Sequence, residues 1–122
     1  MEKYYDIVIV GAGPNAINAY YKLEKFNKST KIVIFDKGNS LNNLRNLPEV
    51  RWHSTMKELK LESSINTQID DDYIPMSSEL ICYYQEFINE HQIMINEFQE
   101  VKNIIAQNKE NYNYKIEVKD IK

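Results

Sequence analysis

Apolar and polar positions along this chain change period several times, and each change marks an element. Asp6 to Val10 is a short apolar run with no polar alternation, the pattern of a strand buried on both faces of a parallel sheet. Gly11 ends it. From Ala16 the apolar positions Ile17, Ala19, Tyr20 and Leu23 return at helical spacing while Lys22, Glu24 and Lys25 stay polar, which predicts a helix with one face for the sheet. Lys31 to Phe35 (KIVIF) predicts a second buried strand. Residues 37 to 76 are rich in Asn, Ser and charge, with Pro48 and Pro75 as breakers, and only a short turn is expected at Met56 to Leu61.

Helical periodicity resumes at Ser77. Ser77 or Ser78 can cap a helix with Glu79 in its first turn, and Leu80, Ile81, Tyr84, Phe87, Ile88 and His91 then share one face. Ile93 to Phe98 (IMINEF) reads as a strand. Val101 to Gln107 and Tyr112 to Lys119 flank the polar turn Asn108 to Asn111, with Tyr112, Tyr114, Ile116 and Val118 alternating, so a β-hairpin follows. The order predicts an α/β fold: a parallel sheet with a β-hairpin near the C-terminus.

Composition narrows the function classes. The 122 residues, 43% of them hydrophobic, suffice for one domain with a core. The net charge is 15 − 18 = −3 and no basic stripe appears, which argues against a nucleic-acid partner. No apolar run approaches the ~20 residues that span a bilayer, and the N-terminus enters a strand without a signal-peptide layout, so a cytoplasmic location is the default. Cys82 stands alone and forms no internal disulfide. Cys82 and His91 read as a buried thiol and a helix-end cation, not as a catalytic pair.

The chemistry lies in the first turn. Gly11 permits the tight exit from the strand, and Gly13, without a Cβ, lets a pyrophosphate approach the backbone amides at the start of the helix. Pro14 suits the first helical position, where its missing N–H costs nothing. The helix N-terminus carries about half a positive charge and leaves N–H groups unpaired, which favours a phosphate. Ala16 packs the helix closely on the strand. Asp36 ends the second strand, about 20 residues beyond the glycines, where a carboxylate can accept the hydroxyls of an adenosine ribose. An acid there disfavours a 2′-phosphate, so the site should prefer FAD or NAD to NADP. The sequence-only alternative is a glycine turn in an ordinary α/β protein.

The irregular stretch follows directly from Asp36 and is read as wrapping a cofactor. Gly38, Arg45, Trp52, His53, Ser54 and Thr55 are the side chains expected near a bound ring or phosphate. Each of three has a plain competing reading: Arg45 a surface cation, Trp52 a small satellite core, His53 a solvent-facing side chain. Asp70, Asp71 and Asp72 are consecutive and point different ways, so they read as a solvated loop and not as a metal site.

With those residues in place, the chain resembles the N-terminal FAD-binding segment of the two-dinucleotide-binding flavoproteins, the superfamily of thioredoxin reductases and flavin-containing monooxygenases. GAGPNA at 11 to 16, FDKG at 35 to 38, IPMSSELICYYQEFINEH at 74 to 91 and FQEVKNI at 98 to 104 carry the likeness. WHSTMKELKLE at 52 to 62 has the look of the bacillithiol disulfide reductases and flavin monooxygenases. The resemblance implies a Rossmann-like FAD/NAD(P)-binding fold in which residues 1–122 form the N-terminal part of the FAD domain, the fold being incomplete and the NADPH-binding domain absent.

By that resemblance Gly11, Gly13 and the amides of Asn15 and Ala16 hold the FAD pyrophosphate, with Pro14 starting the helix. Asp36 holds the adenosine ribose, Lys37 lies along the adenine edge, and Val101 meets adenine through its backbone. Arg45 and His53 approach the flavin side. Members of the superfamily pass hydride from NAD(P)H to the flavin and on to a disulfide or to oxygen. Thioredoxin reductases proper use a Cys-x-x-Cys pair, and the bacillithiol type has a cysteine in the glycine motif where Asn15 stands here. No catalytic residue emerges. The expectation is a flavoprotein oxidoreductase, reductase or monooxygenase, whose turnover needs more than this piece. It has unpaired sheet edges that favour homo-oligomers. The alternatives are a stand-alone sensor that holds FAD, NAD or ADP without redox chemistry and a degenerate interaction domain that binds no nucleotide.

Overall fold

The computed structural model describes residues 2–61 and 70–121. Positions 62–69, part of the irregular stretch expected to wrap a cofactor, lie outside the described residues. Contacts group the chain into two compact units, residues 1–40 with 94–122 and residues 41–93.

In the first unit β1 (Ile7–Val10), β2 (Ile32–Phe35) and β3 (Ile95–Asn96) form a parallel sheet in the order β1-β2-β3. The helix α1 (Pro14–Phe26) connects β1 to β2 and packs on both strands. Ile17 and Tyr20 on its inner face are buried with Ile32, Val33 and Ile34 of β2. Each such apolar side chain contributes about 1.5–3 kcal/mol relative to exposure. The helix stops at Asn27, whose extended backbone returns its N–H to the Leu23 carbonyl. The second layer is an antiparallel hairpin of β4 (Gln99–Ala106) and β5 (Tyr114–Asp120), with a register shift between Val101 and Asn103.

Two sequence expectations need correcting here. The β1 strand is not buried on both faces: it is half-buried and Val10 is 58% exposed, β1 being an edge of the sheet in which, among the described residues, β2 is the central strand. The strand expected over 93–98 shrinks to Ile95–Asn96. Gln92 and Phe98 on either side adopt left-handed backbone (φ 51° and 57°), which an extended strand does not accommodate.

The second unit contains α2 (Asn42–Arg45), α3 (Met56–Leu59) and α4 (Ser77–Glu90). Its core is Leu41, Leu44, Met56, Pro75, Leu80, Tyr83, Tyr84, Phe87 and Ile88. Neither serine caps α4. Met76 occupies the cap position, the Glu79 carboxylate accepts the Met76 N–H at 2.9 Å, and Glu49 accepts the Ser78 N–H at 3.1 Å and the Ser77 hydroxyl at 2.8 Å. The buried face includes Tyr83 where the periodicity favoured Ile81, which is half-buried. Cys82 is exposed, not buried, since the inward face runs through 80, 83, 84, 87 and 88 and turns position 82 to solvent. His91 ends α4 and meets Phe87 in a tilted ring contact, with centroids 4.5 Å apart. No helix among the described residues is long and apolar enough to cross a membrane.

Candidate functional site

The bend at 11–16 joins β1 to α1, the strand-to-helix junction the glycine pattern predicts. Gly11 donates its N–H to the Phe35 carbonyl at 2.7 Å, extending the β1–β2 ladder by one bond, and turns away with φ +98°. Only glycine takes that backbone without strain. Gly13 is different: its φ of −89° and ψ of −178° are open to any residue. A Cβ built on it meets no atom within 4 Å. Nothing among the described residues therefore requires a glycine at 13, and the bare backbone faces open space.

The first turn of α1 is left uncapped. Its cap residue, Gly13, has no side chain to bond the first amides, no acid lies in its first turn, and Pro14 occupies the first helical position. Asn15 is exposed and Ala16 half-buried at this end. An uncapped helix start with unpaired N–H groups beside a bare glycine suits an anion.

Asp36 faces the turn. Its Oδ2 accepts the N–H of buried Ala12 at 2.7 Å, and its Oδ1 accepts the Gly38 N–H at 2.8 Å. The backbone around it is laced to the start of the hairpin. Asp36 donates its N–H to Asn96 O at 3.0 Å, Gln99 donates to Asp36 O at 2.9 Å, and Phe98 donates to Gly38 O at 3.2 Å. Ser40, buried, donates its N–H to Glu97 Oε2 at 2.5 Å. The carboxylate thus rides on a frame tied to two strands. Val101 lies in β4, two residues beyond Gln99 and beside the register shift. Lys37 is exposed between Asp36 and Gly38.

Gly11, Gly13, Pro14, Asn15, Ala16, Asp36, Lys37 and Val101 all belong to the first unit. Arg45 and His53 belong to the second. There the exposed Arg45 guanidinium donates to Gln85 Oε1 at 3.0 Å, and His53 is an exposed bend residue. Thr55 is engaged locally at the start of α3, where its N–H and hydroxyl both donate to Glu58 Oε1, at 3.4 and 3.3 Å. Trp52 is half-buried with its indole Nε1 lacking a hydrogen-bond partner among the described residues. Asp71 pairs with Lys60 at 2.5 Å, both side chains exposed, as a solvated loop would have it.

Sequence reasoning missed Glu97 and Ala12. Glu97 holds Ser40 from 57 positions away, and no local pattern announces so distant a contact. Ala12 lies inside the motif, but an alanine gives no sign that its N–H is spoken for by Asp36.

The pyridine nucleotide-disulphide oxidoreductase family profile matches residues 8–121. Among solved structures, bacillithiol disulfide reductase Bdr from Staphylococcus aureus is similar, with 23% identity and a TM-score of 0.80 over 96% of this chain and 34% of that one. A flavin-containing monooxygenase from Stenotrophomonas maltophilia gives 13% identity and a TM-score of 0.75 over 97% of this chain and 34% of that one. Thioredoxin reductase from T. acidophilum gives 22% identity and a TM-score of 0.60 over 98% and 32%. At these identities the likeness is one of fold, and the chain spans about a third of their length. No curated protein matches it. The Rossmann-like arrangement of β1, the glycine turn, α1 and β2 thus falls within a family match that runs almost end to end, and the chain belongs to the pyridine nucleotide-disulphide oxidoreductase family.

Proposed function

We propose that this chain is the FAD-binding portion of an NAD(P)H-dependent flavoprotein oxidoreductase, and that it holds the ADP moiety of FAD on its glycine turn. The observation that carries this reading is the bare, unobstructed backbone at Gly13, facing an uncapped helix start with the Asp36 carboxylate on the same turn. The diphosphate would sit against the Gly13, Asn15 and Ala16 backbone. Asp36 would accept the adenosine ribose hydroxyls and Lys37 would flank adenine, with Val101 meeting it through its backbone. Arg45 and His53 are proposed for the flavin side.

A similar steroid monooxygenase is bound to NADP, and the similar protein OTEMO is in complex with FAD and NADP. Of those occupants FAD, which has no 2′-phosphate, suits the chemistry that the turn and Asp36 offer here. When bound, the flavin supplies the redox chemistry, and the protein contributes orientation and electrostatics. This chain's own share is to grip the nucleotide end.

Titrating the purified protein with FAD, NAD and ADP by calorimetry, with thermal melts at saturation, tests the proposal. FAD binding, with stabilisation of about 2.7 kcal/mol at 100-fold its Kd, is the expected result. A colourless protein that binds ADP or NAD but not FAD would favour the sensor reading. Melts unmoved by all three nucleotides would remove the nucleotide site altogether.

A further inference from the structure

We infer that Asp36 is also a positioning residue, a latch that sets the shape of the glycine turn before any nucleotide arrives. The inference rests on the nucleotide reading above for its purpose, though not for its geometry. Ala12 is 2% exposed, and its N–H points at Asp36 Oδ2 at 2.7 Å across 24 residues of sequence. Without the carboxylate that buried amide loses this bond, and an unbonded buried donor is a state folded proteins avoid.

The latch is rigid at its other end. Backbone bonds to Asn96 and from Gln99 fix residue 36, and the Gly38 N–H on Oδ1 at 2.8 Å fixes the carboxylate's rotation. Ala12 lies between two glycines, the residue type with the most backbone freedom to lose, so a bond at its amide orders the loosest part of the turn. An ionised carboxylate offers about four acceptor positions, of which the two backbone N–H groups use two. Ribose hydroxyls can therefore donate to the free lone pairs while the latch stays closed. In this arrangement Asp36 serves the diphosphate indirectly, through the backbone, as well as the sugar directly.

The two roles separate with a nucleotide that lacks the hydroxyls. We would measure ADP and 2′,3′-dideoxy-ADP binding to wild type and Asp36→Ala by calorimetry, and amide hydrogen exchange of Ala12, Gly38, Asn15 and the β2 residues by NMR without ligand. The latch predicts that Asp36→Ala weakens dideoxy-ADP by about tenfold, the scale of one charge-assisted hydrogen bond. Removing a negative charge beside a diphosphate would by itself tighten binding, so electrostatics cannot imitate that loss. Dideoxy-ADP affinity that is unchanged or improved overturns the latch.

In the wild-type protein the Ala12 amide should exchange at least about tenfold more slowly than that of Asn15, and in Asp36→Ala the Ala12 and Gly38 amides should speed up while Val33 and Ile34 do not. Equal exchange of Ala12 and Asn15 in the wild type overturns the inference even if the variant does not fold. Should wild type bind neither nucleotide, the functional reading fails, and exchange at Ala12 still decides the latch.

Discussion

Gly11 and Phe35 are joined by a 2.7 Å hydrogen bond from the Gly11 N–H to the Phe35 carbonyl, at the point where the chain leaves β1 with φ +98°. The last rung of the sheet ladder and the first step of the turn are one residue. The geometry that orients the helix start is therefore inherited from the sheet, and Gly11 cannot be exchanged without disturbing both.

Gly11→Ala should lower stability by about 1–2 kcal/mol, the cost of placing an L-residue in left-handed backbone. Space is not the issue, because a Cβ at 11 meets no atom within 4 Å. Urea unfolding of the purified variant measures it; an unchanged midpoint would mean the turn relaxes to another φ.

Gly13→Val should behave in the opposite way. Its backbone is extended and its Cβ position is open, so the folded state should lose at most about 1 kcal/mol, from a poorer cap residue. Nucleotide binding should vanish, since the side chain fills the approach to the amides. Calorimetry with FAD and a melt on the same sample check both halves, and retained FAD affinity would contradict the proposed approach.

Acid should loosen the start of α4. Hydrogen bonds from Ser78, then from Ser77, hold the Glu49 carboxyl below its ordinary 4.5, and the Met76 N–H followed by the Tyr73 hydroxyl do the same for Glu79. Groups depressed on folding contribute stability above their unfolded pKa and lose it as pH falls through the folded value. Stability should thus be level at neutral pH and decline below 4.5. Urea midpoints across an acid series measure it, and the Glu49→Gln/Glu79→Gln double variant should show a shallower decline.

Alkali should act through Tyr84. Its hydroxyl donates to the Leu59 carbonyl at 2.9 Å, and burial pushes its pKa up to about 12 from an ordinary 10.0. A raised folded pKa gives stability that is complete below the unfolded value and is lost as pH rises through the folded one. Tyr84 should therefore weaken the fold from pH 10 up to about 12. Tyr84→Phe should remove its share of that decline, at a cost near neutrality of about 1 kcal/mol for the hydrogen bond. Unfolding midpoints against pH for both proteins test it.

The sequence alone determined the elements of the first third and their order. A strand, a glycine turn, a helix and a strand ending in Asp36 are written in local periodicity and in residue types with few conformational alternatives, and the structure places them so, within a residue at the ends of the strands. The amphipathic helix from Ser77 and the final hairpin were legible for the same reason. Tertiary structure alone decided what depends on neighbours distant in sequence. Sheet order made β1 an edge and exposed Val10, and left-handed residues at 92 and 98 cut β3 to two residues. Long-range bonds turned Asp36 onto Ala12 and Glu97 onto Ser40. Periodicity reports which face of an element is apolar, whereas an edge, a cap from a distant glutamate or a carboxylate aimed at one amide exists only once the chain has closed on itself.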